Sequence, residues 1–520
     1  MQTHTALLPS NRSRRRAAFR AAAASIVLAM ALCACSARPR TQVIIPPSGK
    51  LLLNGVSIVD TRDGTVQADQ SILMERGKIV RIAPQGTIAA DAAVQSVDAR
   101  GKFVVPGYND MHAHALGPDD PSSTLALMLA NGITGFRQMS GSPDLLRQRR
   151  EQTLPLTREA PDLLIMPGSI LSPANAGTVE SALATIREQK ADGADFIKVA
   201  VVSTPVFFAS LDEAKRAGLP FVGHLQQGVD AAVASKGGMH SIEHLGPGDT
   251  LLLSCSRDEA ALRQQVAKLP PVKGLPFRSS IVEKVFAYFF RNTVINPSTL
   301  VDDAAAARFR SILGSYDEEK CRKLAAGIVA DGSWQVPTLI RVRTMQFADT
   351  NEYGNDPNLR YIAADTLKDW RRVTAKYVSK VPAATRETLH QLYALQTKVA
   401  KLFSDAGVHM LAGSDLGGGW VLPGFSLHQE FDELGKAGIA PLRILQMTTL
   451  NGAEFLGRGA SMGTVEAGKN ADLVVLDADP TQSVQNLHKI VAVVRAGFYY
   501  SRQDLDAMLE KVVKSGGAEM

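Results

Sequence analysis

The sequence predicts an α/β protein: a (β/α)8 TIM-like barrel with a small β-sandwich built from both ends of the mature chain. Three observations carry that expectation. From residue 106 to 459, short β-branched runs alternate with helical stretches through eight units. Residues 50–105 and 460–500 instead hold short strands with turn residues between them. Metal-competent side chains recur where the predicted barrel strands end.

At 520 residues the chain is long enough for one large domain and one smaller one. Hydrophobic residues make up 45%, ordinary for a globular protein. The formal charge of +6 comes from the start of the chain. Five of the 57 Lys and Arg (Arg12, Arg14, Arg15, Arg16 and Arg20) lie in residues 1–34, which contain no acid. Beyond them 52 basic residues face 51 acidic ones, so nothing suggests a nucleic-acid footprint.

Residues 1–34 read as an export signal of the lipoprotein type. Basic residues up to Arg20 precede an apolar run at 21–34, of signal length and short for a membrane span. The run ends Leu32-Cys33-Ala34-Cys35-Ser36, a pattern similar to a bacterial lipobox, in which Cys35 carries the lipid. Ser13-Arg14-Arg15-Arg16-Ala17-Ala18-Phe19 is a loose twin-arginine pattern as well. The expectation is a protein on the periplasmic side of a bacterial envelope, with 35–49 as a tether. Cys255 and Cys321 either pair there or stay as two buried thiols, because sequence does not set the distance between them.

Taken in order, strands are expected at 51–53, 56–59, 71–74 and 78–82, with turns at Asn54-Gly55 and Arg76-Gly77. Residues 471–476 and 490–497 resume that style, so the two ends are expected to pair. The barrel strands are expected to end at His112–His114 and to follow at 132–139, 163–166, 194–200, 220–224, 239–244, 334–339 and 408–415. Residues 249–330 are too long for a plain crossover. They contain Phe277, Phe286, Tyr288, Phe289 and Phe290, and read either as a helical lid or as an insertion with its own aromatic core. Residues 501–520 are expected as a C-terminal tail.

The stretch Val105-Pro106-Gly107-Tyr108-Asn109-Asp110-Met111-His112-Ala113-His114 opens the barrel. Alternate residues of a strand share a face, so His112 and His114 can grip one metal ion, with Asp110 one step deeper as an outer partner. Barrel active sites lie at the C-terminal ends of the strands. The fourth strand carries Lys198, the fifth His224, the sixth His244 and the eighth Asp415. His240 lies earlier in its strand and is assigned to structure. His4, His390, His409 and His488 receive no role, and His428 is an outer candidate on the rim. For substrate, Arg341 could clamp a carboxylate, Arg137 is a second cation, and Trp420 could wall an aromatic pocket.

With these residues placed, the chain resembles the metal-dependent amidohydrolase superfamily. The branch is the binuclear one, with imidazolonepropionase-like proteins, prolidase-type Xaa-Pro dipeptidases and carboxypeptidase-like amidases. The marks are Val105-Pro106-Gly107 before Asp110-x-His112-x-His114, Gly193-Ala194-Asp195-Phe196-Ile197-Lys198, Gly223-His224, Ser241-Ile242-Glu243-His244 and Ala412-Gly413-Ser414-Asp415. Gly463-Thr464-Val465-Glu466-Ala467-Gly468-Lys469-Asn470-Ala471-Asp472-Leu473 is similar to the family's return into its sandwich. Two departures are Arg137-Gln138, where Arg-Asp is frequent, and Ser414, where Thr is common.

The resemblance implies two divalent metal ions, zinc first, with Mn, Co and Ni open. His112, His114 and Asp415 would hold one, His224 and His244 the other, and Lys198, carboxylated by CO2, would bridge them. It implies attack by a metal-bridging hydroxide, with Asp415 as acid and base. The expected reaction is hydrolysis of an amide (peptide-like) bond in a dipeptide or N-acyl amino acid. A cyclic amide or lactone makes the same demand on the metals and stays open. So does a non-catalytic lipoprotein that binds a metal or ligand. Expected partners are the small-molecule substrate and a membrane through a lipid at Cys35, with no nucleic acid; homo-oligomerisation is open.

Overall fold

A computed structural model describes residues 47–89, 94–275, 285, 290–350 and 352–520. The expected signal at 1–34, Cys35, and Phe277, Phe286, Tyr288 and Phe289 lie outside the described residues. No helix among the described residues is long and apolar enough to cross a membrane.

Strands are numbered in chain order. One eight-stranded sheet joins both ends of the chain. β1 (Lys50–Val59), β2 (Val66–Glu75) and β3 (Lys78–Pro84) form an antiparallel meander. β4 (Val94–Asp98) and β5 (Phe103–Pro106) add parallel to β1. β5 then pairs antiparallel with β13 (Leu473–Leu476), which continues into β14 (Ile490–Arg495) and β15 (Phe498–Ser501).

β13 shows why its sequence is apolar at every position. Leu473 and Val475 join Leu51, Ile72 and Ile79 in the sheet's own core. Val474 and Leu476 face the other way, into the barrel core with Tyr108 and Phe431. A strand covered on both faces must be apolar throughout, and a one-residue slip would exchange the two sets.

β6 (Tyr108–Ala113), β7 (Ile133–Gln138) and β8 (Asp162–Ile165) run parallel. So do β9 (Ile197–Val199), β10 (Phe221–Gly223), β11 (Met239–Glu243) and β12 (Trp334–Val336). The two groups meet where Leu171 N donates to Lys198 O at 2.9 Å. The expected eighth strand closes the ring as an irregular segment. On one side Leu411 N donates to Gln335 O at 2.9 Å; on the other, Met111 N donates to Ala412 O at 2.9 Å and His114 N to Leu416 O at 2.8 Å.

Two expectations need correction. Residues 501–520 are not a tail. The helix Arg502–Lys514 opens with a Ser501/Asp504 capping box and buries Leu505, Met508 and Val512. Ala518 N then donates to Tyr361 O at 2.7 Å. Within 249–330, the helix Glu318–Asp331 leads directly into β12 and is the barrel's regular sixth crossover. Cys255 and Cys321 are joined by a disulfide, Cα atoms 4.4 Å apart, which ties the turn Leu252–Cys255 to that helix.

Candidate active site

The expected strand ends converge at one mouth of the barrel. β6 and the closing segment lie in contact because Gly413 has no side chain: a Cβ there would sit 2.7 Å from His112 Cβ. Asp110 locks the two together, accepting from Ser414 N at 3.0 Å and from Ser414 Oγ at 2.5 Å. Ser414 therefore keeps the hydroxyl that matters here. Burial raises the Asp110 carboxyl to about 6 despite those bonds. Asp415 follows in a left-handed conformation, φ 54°, as does His244, φ 60°. Non-glycine residues there are strained, and such strain concentrates at functional sites.

Asp415 is ringed by imidazoles. Its Oδ1 lies 3.2 Å from His112 Nε2 and 3.3 Å from His114 Nε2, and its Oδ2 lies 3.8 Å from His244 Nε2. Ligand atoms of His112, His244 and Asp415 all fall within 4.8 Å of one another. The His224 ring stands 5.0 Å from that of His244. Burial opposes ionisation of Asp415, but positive charge on the His112 and His244 imidazoles outweighs it and holds the carboxyl well below its ordinary range; with the rings neutral, a metal ion would supply that charge.

The outer nitrogens of these rings are held separately. His112 Nδ1 donates to Glu243 Oε2 at 2.7 Å. Glu243 is fully buried; burial opposes its ionisation, but Arg137, then His112 and Lys198, outweigh that and hold the carboxyl well below its ordinary range, with Arg137 Nη2 3.0 and 3.1 Å from its two oxygens. His244 Nδ1 meets Thr338 Oγ1 at 2.5 Å, and that hydroxyl donates to Pro337 O. The hydroxyl proton is thus committed, so His244 Nδ1 carries the hydrogen. Both rings then aim an Nε2 lone pair at the centre. His114 Nδ1 reaches Ser140 Oγ at 2.8 Å, and Gln138, the departure noted above, supports Ser140 through its carbonyl at 2.9 Å.

Among the described residues, buried His112 Nε2 and Lys198 Nζ find no hydrogen-bond partner. Lone pairs and a carboxylate facing one another at this range call for a cation or a proton among them. The nitrogen and oxygen donors suit zinc and its neighbours, so the residues fit a metal. Burial lowers the Lys198 ammonium to about 8, with Glu243 and Asp415 pulling against it. Burial, then the Lys198 charge, takes His224 down to about 3.

The three expected substrate contacts are engaged elsewhere. Arg137 is fully buried, its donors given to Met111 O, Ser241 Oγ and Glu243, so it props His112 rather than meeting substrate. Arg341 donates to Ile295 O at 3.1 Å and Val294 O at 2.6 Å, and its Nε lies 3.4 Å from Asp415 Oδ2. It links the 249–330 stretch to the site and leaves no free fork for a carboxylate. Gly418 makes room for it, since a Cβ there would come within 2.4 Å of the guanidinium. Trp420 is packed beside Trp370 and donates to Thr374 Oγ1 at 2.9 Å, so it is core under the rim. His428 binds Asn131 O at 2.9 Å and touches none of the site.

Glu243, Thr338 and Ser140 support the site from outside the metal-binding set expected from the sequence. Glu243 did carry a signal. Ile242 faces the outer core, so Ser241 and Glu243 share the inward face, where an acid needs a partner.

Residues 367–498 match the amidohydrolase family model. A dihydroorotase from Anoxybacillus flavithermus (strain DSM 21510 / WK1) is 25% identical over 192 residues, 36% of this chain and 43% of that protein. The chain thus spans less than half the length of the curated relatives first matched, 43% and 21%. Over 90% of this chain and 91% of the other, the chain superposes on the bottromycin amidohydrolase AH with a TM-score of 0.64 and 20% identity. A Xaa-Pro dipeptidase structure gives 0.56 and 17% over 87% of this chain and all (100%) of the other. At these identities the structural likeness establishes the fold, in agreement with the barrel described above.

Proposed function

We propose that this protein is an amidohydrolase, a metal-dependent hydrolase of an amide bond in a small molecule, a dipeptide or N-acyl amino acid. His112, His114, Lys198, His224, His244 and Asp415 form its metal-binding set. One observation carries the reading: three imidazole Nε2 atoms surround the Asp415 carboxylate at 3.2 to 3.8 Å, with His112 Nε2 and Lys198 Nζ buried and unpartnered beside it. Divalent ions held there, zinc first, would supply the charge that activates a water and polarises the scissile carbonyl. Lys198 joins the set as a carbamate. Its lowered proton affinity exposes the free amine, which takes up CO2 with loss of a proton and exchanges a buried cation for anionic oxygens. Asp415, ionised among the imidazoles, takes the proton of the water and passes it to the leaving amine.

The likeness to a Xaa-Pro dipeptidase supports a peptide-like substrate. The match to a dihydroorotase, a name built on a ring compound, supports a cyclic amide as the second reading. The test is hydrolysis of dipeptides, N-acyl amino acids, cyclic amides and lactones by the purified protein, with metal analysis and beside Asp415→Asn. Turnover with about two metals per chain, lost in the variant, is the expected result. No bound metal after reconstitution with divalent ions and bicarbonate would overturn the assignment.

Export and lipidation at Cys35 belong to the same proposal. The basic and apolar start supports them, and the Cys255–Cys321 disulfide suits an oxidising compartment. Cys35→Ser should move the protein from the membrane fraction to the soluble one; unchanged fractionation would refute the anchor.

A further inference from the structure

The helix Leu339–Gln346 begins at Thr338, the residue that holds His244. A threonine at a helix start ordinarily accepts one of the first-turn N–H groups with its own hydroxyl. Thr338 does not: its backbone is left-handed, φ 44° and ψ 49°, and its side chain makes no capping hydrogen bond. The hydroxyl is committed elsewhere, donating to Pro337 O at 2.8 Å and accepting from His244 Nδ1 at 2.5 Å.

The helix is capped from outside instead. Glu430, on the helix Phe425–Lys436, is fully buried. Its Oε2 accepts from Ile340 N, in the first turn, at 2.7 Å. Its Oε1 is buried with no hydrogen-bond partner among the described residues. A carboxyl in such surroundings costs free energy unless it relieves a larger cost, and unanswered N–H groups in a buried first turn are such a cost.

We propose that Glu430 is a positioning residue for His244: by capping the neighbouring helix it leaves the Thr338 hydroxyl free to hold the imidazole. Without Glu430 the first-turn N–H groups compete for Thr338 Oγ1. His244 then loses the partner that sets its tautomer and ring orientation. The metal readout below rests on His244 being a ligand, as proposed above; the proton readout does not.

The test is a double-mutant cycle on the full chain, read in two ways. Zinc affinity is measured for the wild type, Glu430→Leu, Thr338→Val and the double variant. The His244 Nδ1–H proton is followed by NMR in the metal-free protein and assigned by its loss in His244→Asn. Each single variant should weaken zinc binding about 10- to 100-fold and lose the proton signal. The double variant should be no worse than the poorer single. Glu430→Gln, whose amide oxygen accepts from the same Ile340 N–H, should keep the signal and stay within about twofold of wild-type affinity. Losses that multiply in the double variant, or a proton signal that survives Glu430→Leu, overturn the proposal. If His244→Asn binds zinc as the wild type does, the ligand assignment fails, and the proton signal alone decides for Glu430. If Glu430→Leu does not fold, Glu430→Asp, a methylene short of Ile340 N, replaces it.

Discussion

His112 and His244 both turn an Nε2 toward the Asp415 carboxylate, yet their supports are opposite in kind. Behind His112 stands a buried charged chain, Glu243 and then Arg137, both fully enclosed. Behind His244 stands a neutral hydroxyl on a strained residue, Thr338, whose helix is capped by Glu430. An anionic partner makes the imidazole a stronger donor but commits the barrel to a buried ion pair. A hydroxyl imports no charge, and its geometry is only as firm as the helix that carries it. One corner relies on electrostatics, the other on packing and backbone.

The largest effect should come from breaking the charged corner. Arg137→Met leaves Glu243 buried without its cation and should destabilise the fold by about 3–5 kcal/mol, seen as a lower urea midpoint. An unchanged midpoint would mean that Glu243 is not held as an anion. Next come Glu243→Gln and Thr338→Val compared by chelator competition. Each should cost about 10- to 100-fold in zinc affinity, with Glu243→Gln nearer the upper figure because it removes a charge as well as an acceptor. Equal losses would erase the distinction between the corners.

The smallest effect concerns pH. Burial raises the Glu430 carboxyl from its ordinary 4.5 to about 8. The folded state therefore holds a proton that the unfolded chain releases above 4.5. The stability this contributes is full below 4.5 and is lost as pH rises toward 8. Glu430→Gln, neutral throughout, should gain in Tm relative to the wild type as pH rises over that window. A constant difference would show that Glu430 does not titrate there.

Much of the site was legible because strand parity and strand ends are local properties. His112 and His114 alternate on one strand, Lys198 and His224 close others, and the barrel rule then gathers them at one mouth. The substrate contacts were not legible. Arg137, Arg341 and Trp420 have the right chemistry for a pocket. Which way an arginine reaches, however, depends on partners far along the chain: Glu243 for the first, Val294 and Ile295 for the second. The final helix was passed over because its apolar face, Leu505, Met508 and Val512, is buried only against distant elements.

By itself the sequence determined the periodicities, and through them the barrel, the two-ended sheet and the residues that can bind a metal. Those follow from the alternation of side chains along each strand and the need to bury apolar faces. Only the tertiary structure decided which buried polar groups answer one another. It paired Glu243 with Arg137, committed Thr338 to His244, joined Cys255 to Cys321 and turned Arg341 away from any substrate. The physical reason is that a buried donor or acceptor must find its partner in space, and the partner's place in the sequence has no bearing on that distance.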